Sequence, residues 1–130
     1  MVDDIVIFDT DIFIFIERGN LKAAKILNDT TERYLSVQSY MELLQGAKNK
    51  EQLKRVKKFL SEMGFITLPL TENVGHRALI YIEQHTLSGG LFSGDAIIAA
   101  TAVESNMILC SSNEKHYKAI KELDLQVFRP

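Results

Sequence analysis

The sequence is short of most features that mark a specialised class of protein. It has one cysteine, Cys110, so no disulfide can form within the chain. That residue sits in the apolar run Met107-Ile108-Leu109-Cys110, where it is expected to pack as a small hydrophobe, and a reducing, cytoplasmic setting is the expectation. No apolar stretch approaches the ~20 residues needed to span a bilayer. The start Met1-Val2-Asp3-Asp4 is acidic where an export signal is basic, so neither membrane insertion nor export is expected. Cys/His clusters, internal repeats and low-complexity segments are also missing. Positive charge is not in excess: 15 Lys and Arg stand against 17 Asp and Glu, and the net charge of −2 argues against nucleic-acid binding by bulk charge.

What is present describes an ordinary folded chain. At 130 residues and 46% apolar content, one domain over residues 1–130 is expected, burying roughly two-thirds of its unfolded surface. Short apolar runs rich in β-branched or aromatic residues occupy 5–8, 34–37, 65–68, 107–110 and 125–128. Between them, 21–28, 39–47, 51–62, 71–85 and 95–104 are long enough for helices. Alternation of the two predicts an α/β fold with a parallel sheet. In 51–62, Leu53, Val56, Phe59 and Leu60 recur at spacings of three and four, with Lys54, Arg55, Lys57 and Lys58 on the flanks and the other face. Residues 95–104 are apolar nearly all round, which predicts a helix buried on several sides.

Ligands of open parallel sheets bind beyond the carboxyl ends of the strands, so polar residues there are informative. Asp9 directly follows Ile5-Val6-Ile7-Phe8. Glu42 follows the second strand in Ser39-Tyr40-Met41-Glu42, and Asp95 opens a helix in Ser93-Gly94-Asp95-Ala96. Each has a local explanation. Asp9 suits a strand-end turn or helix cap, Ser39 and Glu42 spell a capping box, and Asp95 gains from a helix dipole. Together they point further, because all three belong at one edge of one sheet. Carboxylates brought within ~4 Å repel by about 4 kcal/mol per pair at an effective dielectric of 20, so the cluster calls for a cation. Oxygen ligands suit Mg²⁺ or Mn²⁺, and the implied chemistry is metal-assisted phosphodiester hydrolysis. Asn113, in Cys110-Ser111-Ser112-Asn113, offers a neutral oxygen or a hold on a bound water, and Ser111 a hydroxyl to orient a carboxylate. Capping of a helix over 114–121 is the local alternative for both.

These segments resemble the PIN domain, and most closely its VapC-type ribonuclease toxins. Phe8-Asp9-Thr10-Asp11-Ile12-Phe13-Ile14 resembles the opening motif, Ser36-Val37 with Met41-Glu42-Leu43-Leu44-Gln45-Gly46-Ala47 the second, and Gly94-Asp95-Ala96-Ile97-Ile98-Ala99-Ala100-Thr101-Ala102 the third. Leu109 to Tyr117 resembles the family's Thr-x-Asn-x-x-His-Phe segment. The resemblance implies a three-layer α/β/α fold around a short parallel sheet, with Mg²⁺ or Mn²⁺ held mainly by Asp9 and Asp95 and helped by Glu42. Asp9, Glu42, Asp95 and Asn113 would be catalytic; Thr10, Ser111, Lys115 and His116 would lie on the substrate side. It further implies RNA as substrate, a homodimer, and silencing by a cognate antitoxin protein. The chain departs from the pattern at three places. Asn113 stands where many relatives have Asp, which favours one metal over two; Ser111 replaces threonine but keeps the hydroxyl; Asp11 is an additional acid, either bystander or auxiliary ligand.

Asp9-Thr10-Asp11 also resembles the nucleophile motif of haloacid-dehalogenase-like phosphatases, but Phe13 breaks it, and Ser111 follows Asp95 instead of preceding it. A non-catalytic module, either a receiver-like domain or a PIN fold without activity, is the other alternative. A receiver needs an Asp after its middle strand, where this chain has Pro69; an inactive PIN scaffold should have lost a principal carboxylate, and none is lost. For RNA, Lys48 to Lys58 supplies six positive residues and one negative, a candidate backbone track or simply a solvated helix face. Setting aside Asp9, Glu42 and Asp95, 15 positive residues face 14 negative ones, so mild acidity does not exclude a nucleic-acid substrate.

Overall fold

The computed structural model describes residues 5–130; the acidic start Met1 to Asp4 lies outside the described residues. The five strands are β1 (Ile5–Phe8), β2 (Glu32–Ser36), β3 (Ile66–Leu68), β4 (Ile108–Ser111) and β5 (Leu125–Val127). They form one sheet in the order β3-β2-β1-β4-β5, with every pairing parallel. The helices are α1 (Thr10–Glu17), α2 (Leu21–Asp29), α3 (Val37–Gln45), α4 (Lys50–Glu62), α5 (Glu72–Gly89), α6 (Ser93–Glu104) and the single turn α7 (Glu114–Tyr117).

The central strand explains the layering. β1 is hydrogen-bonded on both sides and covered on both faces, so its residues are apolar without interruption. Side chains still alternate: Ile7 joins a core with α5 and α6, whereas Val6 and Phe8 join a second core with α1, α2 and α4. β4 repeats the split, with Leu109 in the first core and Cys110 in the second. The result is the three-layer α/β/α arrangement. Ala96, Ala99, Ala100 and Ala102 are wholly buried along α6, so that helix lies deep, as its all-round apolar sequence predicts. Cys110 is buried and free, and burial pushes its thiol up to about 12, leaving it protonated and inert.

Boundaries differ from the sequence reading in two informative places. The second strand ends at Ser36 and not at Val37, because the Ser36 side chain accepts the Ser39 N–H at 3.0 Å and starts α3 two residues earlier. Glu42 is therefore in the second turn of α3, and the capping box of Ser39 with Glu42 does not form. The predicted helix over 114–121 stops at Tyr117: Ile120 and Leu123 turn in to fill the first core. Among the described residues, no helix is long and apolar enough to cross a membrane.

Candidate active site

Asp9 is delivered by the end of β1. Its N–H still bonds the Cys110 carbonyl at 2.9 Å, as the sheet continues, while its side chain caps α1 through the Thr10 N–H at 2.8 Å. The other oxygen, Oδ2, accepts the Ser111 hydroxyl at 2.7 Å and the Tyr117 hydroxyl at 3.0 Å. Ser111 can do this because β4 is the hydrogen-bonded neighbour of β1, so the two strand ends lie side by side. Only 5% of Asp9 is exposed. Burial, reinforced by the nearby Asp11 charge, pushes its carboxyl up to about 7, and the bonds from Ser111, Thr10 and Tyr117 counter only part of that rise.

Asp95 enters from the first turn of α6, opposite. Its Oδ2 accepts the Phe92 N–H at 3.2 Å, which closes the start of α6, and it lies 3.0 Å from His116 Nδ1. Its Oδ1 lies 3.4 Å from the Tyr117 hydroxyl. Tyr117, itself wholly buried, thus stands between Asp9 and Asp95. The sequence reading passed over this residue; the signal was a tyrosine where the resembled motif has phenylalanine.

Glu42 is placed through a different chain of contacts. Its Oε1 accepts the Thr10 hydroxyl at 2.6 Å and its Oε2 accepts Gln38 Nε2 at 2.9 Å. Gly94 explains how α3 and α6 approach so closely: a Cβ there would lie 2.8 Å from Glu42 Oε2. Thr10 and Gly94 thereby tie Glu42 to the neighbours of both Asp9 and Asp95. Asn113 donates its N–H to Ser111 Oγ at 3.0 Å, and its Nδ2 lies 2.7 Å from His116 Nδ1. A proton on Nδ1 would donate to Asp95; without one, Nδ1 accepts from Asn113. Asp11 Oδ2 accepts the Ser112 N–H at 3.0 Å and the Ser112 hydroxyl, while its Oδ1 is buried with no partner. Lys115 is exposed on α7, and no ion pair or side-chain hydrogen bond joins it to the acids among the described residues.

The residues are thus gathered at one sheet edge without converging on one point. Among the described residues, no group of three or more His, Cys, Asp or Glu side chains is close enough to hold a metal ion. A two-carboxylate site is nevertheless what Mg²⁺ accepts, since it keeps several waters. The unpartnered buried oxygen of Asp11 and the raised carboxyl of Asp9 both mark a place short of positive charge. The donor set therefore fits a hard divalent cation.

Beside Thr10 and Glu42 opens a cavity of about 590 Å³, walled by Phe13, Leu43, Val56 and Phe59 and flanked by Gln52 and Arg55. A second, of about 770 Å³, adjoins Arg77, Tyr81 and Glu122 and includes none of the candidate site residues.

Comparison with known proteins places this arrangement. The PIN domain family model matches residues 6–123. A toxin-antitoxin complex from Klebsiella pneumoniae contains a chain 27% identical to this one, with 92% of this chain and 95% of that chain covered and a TM-score of 0.77. VapBC-1 from nontypeable Haemophilus influenzae is similar at 24% identity, 94% and 96% coverage and a TM-score of 0.77. VapBC2 from Rickettsia felis, bound to a promoter DNA fragment, is similar at 22% identity, 95% and 98% coverage and a TM-score of 0.72. A search of curated protein sequences gives no significant match.

Proposed function

The chain belongs to the PIN domain family, and from that premise we propose that it is a metal-dependent endoribonuclease, the toxin of a toxin-antitoxin pair. One observation carries the reading: two acids, Asp9 and Asp95, are held across a single buried hydroxyl at the sheet edge, with burial and the nearby Asp11 charge raising the Asp9 carboxyl to about 7.

In this reading Asp9 and Asp95 hold Mg²⁺ or Mn²⁺, and Glu42 assists through water. A divalent ion so bound supplies Lewis-acid charge to a phosphodiester and lowers the pKa of water. The protein's own part is orientation. Ser111 and Tyr117 fix Oδ2 of Asp9, and the Thr10 hydroxyl and Gln38 amide fix Glu42. Asn113 sets Ser111 through its backbone N–H and faces His116, which lies against Asp95 on the substrate side. Lys115, exposed one residue away, contributes charge toward a phosphate. Asp11, fixed by Ser112, raises the negative charge around Asp9 without being a principal ligand.

The similarity to a chain of a toxin-antitoxin complex supports an antitoxin as the protein partner. A homodimer acting in the cytoplasm completes the proposal, and light scattering of the purified protein tests the dimer.

The activity is tested with antitoxin-free protein, a panel of structured RNAs and Mg²⁺ or Mn²⁺. Wild-type protein should cleave, EDTA should stop it, and Asp95→Asn should lower the rate on the order of a thousandfold while remaining folded. Equal cleavage by wild type and Asp95→Asn refutes the assignment. RNA binding by the wild type with no cleavage of any RNA under either metal would favour the non-catalytic module.

A further inference from the structure

The charge of this chain is unevenly spread. Residues 48–58 carry six cations and one acid, a local +5, so the remaining 119 residues carry −7. Lys48, Lys50, Lys54, Arg55, Lys57 and Lys58 are all exposed, and none has an ion-pair partner among the described residues. Elsewhere the chain does pair lysine within a helix: Lys25 bonds Asp29 at 2.8 Å across one turn of α2. On α4, by contrast, Lys50, Lys54 and Lys58 follow one another at intervals of four, the spacing at which like charges repel. Lys50 also occupies the first helical position, where the macrodipole disfavours a cation. The arrangement opposes the helix's own stability, and no ion pair among the described residues relieves it.

Location gives it a use. The apolar side of α4 packs into the second core through Val56, Phe59 and Leu60, which leaves the lysine stripe facing outward. At the boundary of the two faces, Arg55 and Gln52 line the same cavity as Thr10 and Glu42. A cationic stripe therefore runs into the cavity that reaches the candidate site. We propose that α4 is the phosphate track for single-stranded RNA, with Lys50, Lys54, Lys57 and Lys58 along the backbone and Arg55 leading it towards Thr10 and Glu42. The proposal rests on the ribonuclease reading above. It also answers an electrostatic problem of that reading, since the rest of the chain repels the substrate.

The test uses the full chain carrying Asp95→Asn, chosen to bind without cleaving, and a fluorescent mixed-sequence RNA of about 20 nucleotides, with affinity followed by anisotropy from roughly 50 to 200 mM salt. In that background Lys54→Glu/Lys57→Glu/Lys58→Glu is compared with Lys22→Glu/Lys118→Glu/Lys121→Glu, which changes net charge equally away from α4. The α4 triple should bind at least roughly thirtyfold more weakly and lose about 2 from its log–log salt slope, while the control loses less than about threefold. Equal losses in the two triples, or none in the α4 triple, overturn the track and leave the stripe to an acidic protein partner. Lys→Gln at the same three positions replaces the reversal if circular dichroism shows unfolding. The wild-type cleavage assay separates the two ideas. Track-dependent binding without wild-type cleavage sinks the nuclease and keeps the track; cleavage at the wild-type level by the same α4 triple placed in the chain that retains Asp95 sinks the track alone.

Discussion

Helix α6 carries a carboxylate group near each end, about 14 Å apart, and the two ends satisfy them in opposite ways. At its C-terminal end, Glu104 receives Arg77 Nε at 2.5 Å, and Arg77 Nη1 reaches Glu122 at 2.5 Å, with the Tyr81 hydroxyl also on Glu122. A permanent cation is built in. The hydrogen bond from Tyr81, followed by Arg77, holds the Glu122 carboxyl below its usual range, while Glu104 raises the Arg77 guanidinium further still. At the N-terminal end, Asp95 and Asp9 are held by hydroxyls, backbone N–H groups and His116, and no Lys or Arg joins them among the described residues. Burial and the nearby Asp11 charge raise Asp9, with no cation to counter them. The same helix thus joins a finished ion cluster to an unfinished one, and the unfinished one is where a diffusible cation has something to do.

The difference should appear first in stability against pH. A buried carboxyl raised from 3.8 to about 7 binds its proton more tightly folded than unfolded. Its contribution is therefore fully present below about pH 4 and is lost as pH rises to about 7. In EDTA, unfolding free energy from urea titration should fall between pH 5 and pH 8 by roughly 2–3 kcal/mol more in the wild type than in Asp9→Asn. Saturating Mg²⁺ should abolish that excess, because the ion favours the charged form. Parallel pH profiles for wild type and Asp9→Asn in EDTA would mean that the two ends of α6 are not different in kind.

A smaller effect is expected at the other end. Arg77→Met leaves Glu104 and Glu122 without their cation, but the side chains of Arg77 and Glu122 are 33% and 49% exposed, so water recovers much of the loss. Destabilisation of about 1–2 kcal/mol is expected from urea unfolding. Mn²⁺ affinity and RNA cleavage per folded molecule should stay at wild-type values. A fall in metal affinity would show that the Arg77 cluster supports the acidic site along α6, and the contrast between the ends would collapse.

The sequence shows these two clusters unequally, for physical reasons. The strand ends and helix starts that carry Asp9, Asp95 and Ser111 are legible because short continuous apolar runs and nearly uniform apolar helices announce themselves locally. All five strands fall within two residues of their predicted ends. The capping-box reading of Ser39 with Glu42 failed because two serines, Ser36 and Ser39, compete to start the same helix, and the winner was decided by where β2 ends. Arg77, Glu104 and Glu122 are far apart in sequence and meet only when α5, α6 and the segment after α7 pack together. No local pattern encodes that meeting. Tyr117 lies between these cases: its position was visible in the motif, but the worth of its hydroxyl depends on two carboxylates that arrive from β1 and α6.

That hydroxyl offers the finest test of the comparison. It is fully buried, donates to Asp9 at 3.0 Å, and has Asp95 Oδ1 as a longer alternative at 3.4 Å. Burial, with the charges of Asp9 and Asp95, raises its pKa well above the usual tyrosine value, so it stays a donor throughout the working pH range. Tyr117→Phe keeps the ring in its core and deletes only the donor, so stability should change by about 1 kcal/mol or less. If the hydroxyl fixes the separation and direction of the two carboxylates for a cation, Mn²⁺ binding followed by electron paramagnetic resonance should weaken about tenfold, the scale of outer ligand contacts in metal sites. A purely packing role predicts a small stability change with unaltered Mn²⁺ affinity, and that result would remove Tyr117 from the site. Arg77→Met is the matching control, since it should do the reverse, lowering stability and leaving Mn²⁺ affinity alone.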